Sequence, residues 1–126
     1  RLAMFLQNKE SIWDLRWNKD RTYGDIWLPF EKGHCQFNFE GSSPESQKSL
    51  FEIYELEAKN LIEQKLPAPS LDFVLKCSHT FNLLDARGVI SVTDRAQYIE
   101  KIRKLAREVA SSWIEERESL GYPLIN

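Results

Sequence analysis

The stretch "LDFVLKCSHTFNLLDARG", residues 71–88, says the most about how this chain folds. An α-helix advances 100° per residue, and this spacing spreads the apolar side chains over two opposite sides. Only a narrow strip around Thr80 and Arg87 is polar enough to face water. Because a helix that is apolar nearly all round is buried among other elements, we predict a central helix from Ser70 to Arg87. Gly88 is expected to end it in the left-handed conformation.

Three polar side chains of this helix, Ser78, Asn82 and Asp85, fall at i, i+4 and i+7 between the two apolar sides. Leaving such groups buried and unpaired costs roughly 2–7 kcal/mol each, so we expect hydrogen bonds among them or to a neighbour. Asp85 is close enough in sequence to the next helix to pair with its first N–H groups or with Arg95. Since no nucleophile–base pair shares this face, we interpret the three residues as a structural polar network and assign no catalytic residue.

Helices are also predicted on both sides of this central one. In the preceding helix, Ser43 is the N-cap and Pro44 suits the first helical position. In the following helix, Ser91 and Asp94 have the spacing of a capping box, and an apolar stripe continues to Leu120. The expected buried stripe of the preceding helix is Leu50, Phe51, Tyr54, Ala58, Leu61 and Ile62.

The N-terminal third is less regular. Residues 1–8 predict a short amphipathic helix, and residues 11–17 predict another turn or two with Ser11 as the N-cap. Residues 18–42 lose the helical period, and alternating apolar residues in "CQFNFE" favour a strand near residues 35–40. The predicted fold class is therefore mainly α, with at most one short strand.

Composition and charge exclude several classes of protein. The chain has 126 residues, of which 42% are hydrophobic and 29% are charged, as in ordinary soluble globular proteins. A net charge of −2 argues against a protein that coats nucleic acid. Two cysteines make no disulfide framework and suit a reducing cytoplasm. No run approaches the ~20 apolar residues that span a bilayer. Because the chain starts at Arg1 without a methionine, we expect it to be a piece of a longer protein.

Three groups of residues suggest a binding or catalytic role, and each also has a purely structural interpretation. His34, Cys35, Cys77 and His79 are spaced poorly for zinc, so a core thiol and a hydrogen-bonded histidine are the better interpretation. The four tryptophans indicate packing, although the cluster in residues 13–30 is also compatible with a partner-docking patch. Two interpretations are open for the cations Lys101, Arg103, Lys104 and Arg107. They belong to a solvated, ion-paired helix face, or they bind tRNA phosphates.

Several segments, in collinear order over essentially the whole chain, carry a resemblance to a known family. They include "RLAMFLQ", "SIWDLRW", "TYGDIW", "FNFE" and, most specifically, "SHTFNLLDARGVISVTDR". The chain resembles the C-terminal part of the α subunit of bacterial tetrameric glycyl-tRNA synthetase, a class II aminoacyl-tRNA synthetase.

The resemblance implies a role in glycine–tRNA ligation, in which ATP, with Mg²⁺, and glycine give glycyl-adenylate and then glycyl-tRNA. It identifies residues 1–17 with the end of the class II catalytic core and residues 18–126 with a C-terminal helical domain. Arg1 would be the motif 3 arginine that contacts ATP phosphates. The implied partners are the β subunit or a fused β region, tRNA(Gly) through the holoenzyme, and a second α subunit through the missing core. No cofactor and no metal are expected in this piece.

Two functional hypotheses follow from the resemblance. The chain is part of the catalytic α chain and inactive alone, or it is a non-catalytic helical module that docks the β chain or braces tRNA.

Overall fold

The chain divides into two compact units, residues 1–41 and residues 42–126. A computed structural model describes residues 1–123, so residues 124–126 of the predicted second domain lie outside the described residues. The predicted division at residues 17 and 18 marks where a catalytic core would end, and it stays a prediction.

The first unit starts with two short helical segments. The first, α1, spans Leu2–Leu6, and a 3₁₀ helix spans Ile12–Asp14. Ser11 Oγ accepts a hydrogen bond from the Trp13 N–H at 3.2 Å. The helical turns predicted for residues 1–8 and 11–17, and the Ser11 N-cap, are thereby confirmed.

A longer helix follows that the sequence pattern did not predict. This helix, α2, spans Tyr23–Gln36, and a π-helical turn over Phe37–Gly41 continues it. A capping box starts α2, because the Asp25 N–H donates to Thr22 Oγ1 at 3.1 Å and the Thr22 N–H donates to Asp25 Oδ2 at 2.8 Å. Residues 18–42 are therefore largely helical and not irregular.

The strand expected near residues 35–40 is wrong. Phe37 and Phe39 do alternate with polar residues, but both are exposed and lie in the π-helical turn. A strand also needs a neighbouring strand to pair with. In the described part of the chain the only β pairing outside helices is an isolated bridge between Arg16 and Thr22. The mainly α fold class is confirmed.

Three long helices make up the second unit: α3 spans Pro44–Glu63, α4 spans Pro67–Ala86 and α5 spans Val92–Ser119. The Ser43 cap, the Ser91–Asp94 capping box and the left-handed Gly88, with φ +63°, are all as predicted. The start of α4 comes three residues before the predicted one, because Pro67 occupies the first turn, where a missing N–H costs nothing.

The core lies where α3, α4 and α5 meet, and α4 packs against both of the other helices. The Phe51 ring of α3 meets the Tyr98 ring of α5 edge-on, with centroids 4.6 Å apart. Predicted stripe residues Phe51 and Ala58 are fully buried, and Tyr54 and Ile62 pack against the core. The core cluster consists of Phe51, Ala58, Val74, Cys77, Phe81, Leu105 and Val109.

The outer side of α4 differs from the prediction of a helix buried all round. Leu71 and Leu75 are exposed, whereas Thr80, expected to face water, is buried. Thr80 Oγ1 lies 3.0 Å from the carbonyl oxygens of Lys76 and Cys77 and can donate to either. Because the hydroxyl is satisfied within its own helix, it is buried without a partner from another element.

Candidate functional site

The corner between α4 and α5 is held by one ion pair. Arg95 Nε donates to Asp85 Oδ1 at 3.1 Å and lies 3.2 Å from Asp85 Oδ2. Gly88 turns the chain between the helices, and Ser91 begins α5. The expected pairing of Asp85 with Arg95 is therefore present, and it links the end of α4 to the first turn of α5.

The buried network predicted for Ser78, Asn82 and Asp85 does not form as such. Asn82 is exposed and Ser78 is half-buried. No hydrogen bond among residues 1–123 joins these three side chains to one another. They lie toward the exposed side of α4 that carries Leu71 and Leu75, where a polar group such as the Asn82 amide is open to solvent and needs no buried partner. Of the three predicted network residues, only Asp85 links α4 to α5, and its role there is structural.

Replacing Asp85 by alanine is expected to lower the free energy of unfolding by no more than about 1 kcal/mol, because both partners of an exposed ion pair are hydrated when separated. The Asp85 side chain is 37% exposed and that of Arg95 is 53% exposed. Urea unfolding of the chain measures the change, and exposed Glu118→Ala is the matched control, expected within roughly 0.5 kcal/mol of the wild type. A loss of several kcal/mol for Asp85→Ala would show that the carboxylate serves a buried network after all.

The four candidate zinc ligands are divided between the two units, His34 and Cys35 in the first and Cys77 and His79 in the second. Cys35 lies exposed in the first unit, and Cys77 is buried in the core of the second. Cys77 Sγ lies 3.9 Å from the Phe51 carbonyl oxygen, which is a weak hydrogen bond. Burial, followed by the nearby Glu55 carboxylate, raises the pKa of the Cys77 thiol to about 11. Within residues 1–123, no group of three or more His, Cys, Asp or Glu side chains could hold a metal ion.

The strongest polar cluster in the second unit is one that the sequence pattern did not single out. Glu55 of α3 accepts hydrogen bonds from Lys59 at 2.5 Å and from Lys101 of α5 at 2.8 Å. Its side chain is 11% exposed, whereas both lysines are about half exposed. The i, i+4 spacing of Glu55 and Lys59 was a readable signal. Lys101, 46 residues away, was not.

Glu55 is ionised in spite of its burial. Burial raises the pKa of this carboxyl, but the hydrogen bonds from Lys101 and Lys59 outweigh it, and the pKa ends below its ordinary value. The hydrogen bond to Glu55 in turn raises the pKa of Lys101. Both shifts come from contacts within the bundle, so the cluster stabilises the packing of α3 on α5.

A surface of α5 faces outward with a different character. We call it the α5 outer face: Val92, Arg95, Ala96, Ile99, Glu100, Arg103, Ala106 and Arg107 line one open groove. Most of the exposed lining is apolar, and Val92 is almost wholly exposed. Three arginines and one glutamate also line the groove. Apolar surface that includes arginines is typical of protein–protein interfaces.

Other cations of α5 are partly neutralised in place. Lys101 pairs with Glu55, and Lys104 Nζ lies 4.0 Å from Glu108 Oε1. Arg103 and Arg107 instead line the groove. The predicted ion-paired face is therefore present around Lys101 and Lys104, and the arginines form a separate surface.

Arg1 is exposed and occupies the N-cap position of α1, where its side chain makes no cap hydrogen bond. Its carbonyl oxygen accepts the Phe5 N–H at 3.0 Å. This contact does not use the guanidinium.

Among the described residues, no helix combines the length and apolar character needed to cross a membrane.

A family model described as "Glycyl-tRNA synthetase alpha subunit" matches residues 1–118, from Arg1 through almost all of α5. The match includes the Asp85–Arg95 corner, the Glu55 cluster and the α5 outer face. The chain therefore belongs to the glycyl-tRNA synthetase alpha subunit family and has its role in glycine–tRNA ligation.

Proposed function

We propose that this chain is a helical part of the α chain of a class II glycine–tRNA ligase, inactive when alone, and that its α5 outer face docks the β chain or a fused β region. In this role the chain holds the two parts of the enzyme together and does not form glycyl-adenylate by itself. The observation that carries the proposal is the exposed, mostly apolar groove of α5, which three arginines also line.

The causes of the shifted pKa values support a structural role for the second unit. Its groups with shifted pKa values are Glu55, Cys77, Tyr98 and Lys101. Tyr98 and Lys101 line a depression between α3 and α5, but the pKa shifts of all four groups follow from burial and from the Glu55–lysine contacts.

The groove also indicates what kind of surface it binds. Ala96 and Ala106 are small enough to let another helix approach closely, while Val92 and Ile99 offer apolar contact. Arg103 and Arg107 line the same groove and can pair with acidic residues of a partner. We therefore propose an amphipathic helix of the β chain, apolar on one side and bordered by Asp or Glu.

Arg1 is proposed to reach ATP phosphates in the assembled enzyme. A guanidinium offers paired N–H donors that match phosphate oxygens, and in this structure the Arg1 side chain makes no cap hydrogen bond that would compete. Mg²⁺ accompanies ATP in the proposed reaction. Because residues 1–123 form no three-ligand group for a metal, no step is assigned to Mg²⁺ here.

The two free thiols suit an enzyme that works in a reducing compartment. We accordingly propose a cytoplasmic location, where tRNA and ATP are available.

Replacing Ala106 by glutamate in the full α chain is expected to weaken its association with β by at least about tenfold. The new carboxylate must be desolvated in the apolar groove and meets the proposed acidic rim of the partner. Mass photometry of the mixed subunits measures the assembled fraction. Ala68→Glu is the matched control, since Ala68 is exposed in the first turn of α4. Assembly of Ala106→Glu at wild-type concentrations would show that β binds elsewhere.

A further inference from the structure

The first unit carries a row of aromatic rings that meet in tilted or edge-on contacts. Tyr23 lies at its centre, with ring centroids 6.1 Å from Trp17 and 6.2 Å from Trp27. Trp17 and Trp27 are themselves 6.3 Å apart, and Phe30 extends the row at 5.9 Å from Trp27. Trp17 is 56% exposed, Trp27 42% and Phe30 62%. The rings hold one another in place and still leave large faces open.

The loop before α2 is shaped by its own hydrogen bonds. Asn18 Oδ1 accepts from the backbone N–H groups of Asp20 and Arg21, both at 3.0 Å. The Trp17 N–H donates to the Arg21 carbonyl oxygen at 2.9 Å. On the other side, the Arg16 N–H donates to Gln7 Oε1 at 2.7 Å. The loop therefore presents its side chains from a defined backbone.

Those side chains surround an open depression next to the aromatic row. Its charged lining is Lys9, Asp14, Arg16, Lys19, Asp20 and Arg21, and Trp17 also lines it. Four cations face two carboxylates there, so the depression is positive although the whole chain carries −2. Trp17 belongs to both features and joins the aromatic row to the cationic depression.

Open aromatic faces beside a cationic depression are the two parts of a site for single-stranded nucleic acid. Unpaired bases stack on the rings, and the phosphates between them meet arginine and lysine. Paired bases in a duplex are already stacked and cannot use such faces. A site built only for polypeptide would need the aromatic faces but not a local excess of cations.

We propose that residues 16–30 bind an unpaired stretch of tRNA, with bases on Trp17, Trp27 and Phe30 and phosphates on Arg16, Lys19 and Arg21. This assignment rests on the proposed function, since a glycine–tRNA ligase must hold the single-stranded end of its tRNA. It adds a site in the first unit, separate from the α5 outer face.

Filter binding of tRNA to the assembled synthetase tests the site. Trp17→Leu keeps apolar volume but removes the stacking face, and is expected to weaken tRNA binding about tenfold. Trp17→Phe restores a ring and should recover most of that loss. An Arg16→Gln/Arg21→Gln double variant should lower the slope of log affinity against log salt by about 0.7 for each phosphate that is no longer neutralised. Exposed Lys32→Gln in α2 is the one-charge control and should leave the slope unchanged.

Competition experiments show which kind of RNA the site binds. An oligocytidylate ribonucleotide is expected to compete with tRNA at the wild-type site better than an RNA duplex of equal length. Equal tRNA affinity for wild type, Trp17→Leu and the double arginine variant would overturn the assignment. So would a Trp17→Leu variant that loses the β chain and keeps its tRNA affinity, because the aromatic row would then be a protein interface. Failure of the proposed function gives a different result from failure of the RNA site. In the first case the wild-type assembly would make no glycyl-tRNA, while the binding measurements would still show whether residues 16–30 bind RNA.

Discussion

Replacing Phe51 by alanine is expected to lower the free energy of unfolding by about 3–5 kcal/mol, the range for removing a buried phenylalanine. Phe51 is 1% exposed and lies in the core cluster of the second unit. Its ring meets Tyr98 of α5 edge-on, and Phe51 belongs to the same core cluster as Cys77 of α4, so one side chain joins all three helices. The substitution removes apolar packing and leaves a cavity that helices packed on three sides cannot close.

Ile53→Ala is the matched control for this loss, because Ile53 is in the same helix and 58% exposed. It is expected to stay within roughly 0.5 kcal/mol of the wild type. Urea unfolding followed by circular dichroism measures both variants on the chain. If Phe51→Ala and Ile53→Ala changed stability equally, the three-helix core would be placed wrongly.

Reversing the charge of Glu55 is expected to cost about 3–5 kcal/mol, comparable to breaking a buried ion pair by removing one partner. Glu55→Lys discards the ion pairs with Lys59 and Lys101 and sets a third ammonium between them, in a position that is 11% exposed for the native side chain. Half of each lysine remains in water, which lets them move apart and keeps the destabilisation from being larger.

A charge swap separates electrostatics from packing at this position. Lys101→Glu together with Glu55→Lys restores an opposite-charge pair between α3 and α5 and should recover part of the stability that either single variant loses. Urea unfolding of the two single variants and the double variant completes the cycle. Additive losses in the double variant would contradict a direct Glu55–Lys101 interaction.

The Glu55 cluster also fixes a pH window. The pKa of Glu55 is lowered in the folded chain from 4.5, so its contribution is complete above pH 4.5 and is lost as the pH falls through the folded pKa. The pKa of Lys101 is raised from 10.5, so its contribution is complete below pH 10.5 and is lost as the pH rises through the folded pKa. Glu55→Gln should therefore differ most from the wild type between these limits.

Local chemistry made much of the second unit predictable. Ser43, Ser91 and Asp94 act within one helical turn, and Gly88 acts within one residue, so their sequence neighbours contain all that decides them. The apolar stripe of α3 was equally readable, since its period matches the helix. The Asp85–Arg95 pair, which also formed as expected, joins two helices across only ten residues.

The failures come from effects that a local pattern does not contain. Thr22 and Asp25 begin α2, and Tyr23, Ile26, Trp27 and Phe30 keep a helical spacing, but Pro29 inside the helix argued against a continuous helix. Glu55 is stabilised by Lys101, a partner 46 residues away. The Thr80 hydroxyl donates to a carbonyl of its own helix, so burying it costs little free energy, although its polarity had suggested exposure.

The family was predicted from its motifs, whereas the aromatic row was not placed by sequence. The tryptophans were visible as a cluster in residues 13–30, with packing and docking left open. Only the fold of α2 shows that Trp17, Tyr23 and Trp27 share one side.

Glycine-dependent exchange of pyrophosphate into ATP by the 126-residue chain tests the central claim, that this part of the α chain binds and does not form glycyl-adenylate. Adenylate formation requires ATP and glycine to be held in line, and one arginine cannot position both. The expected result is exchange no faster than in a no-protein control at saturating ATP, Mg²⁺ and glycine. Exchange above that control, dependent on glycine and abolished by Arg1→Ala, would contradict the claim.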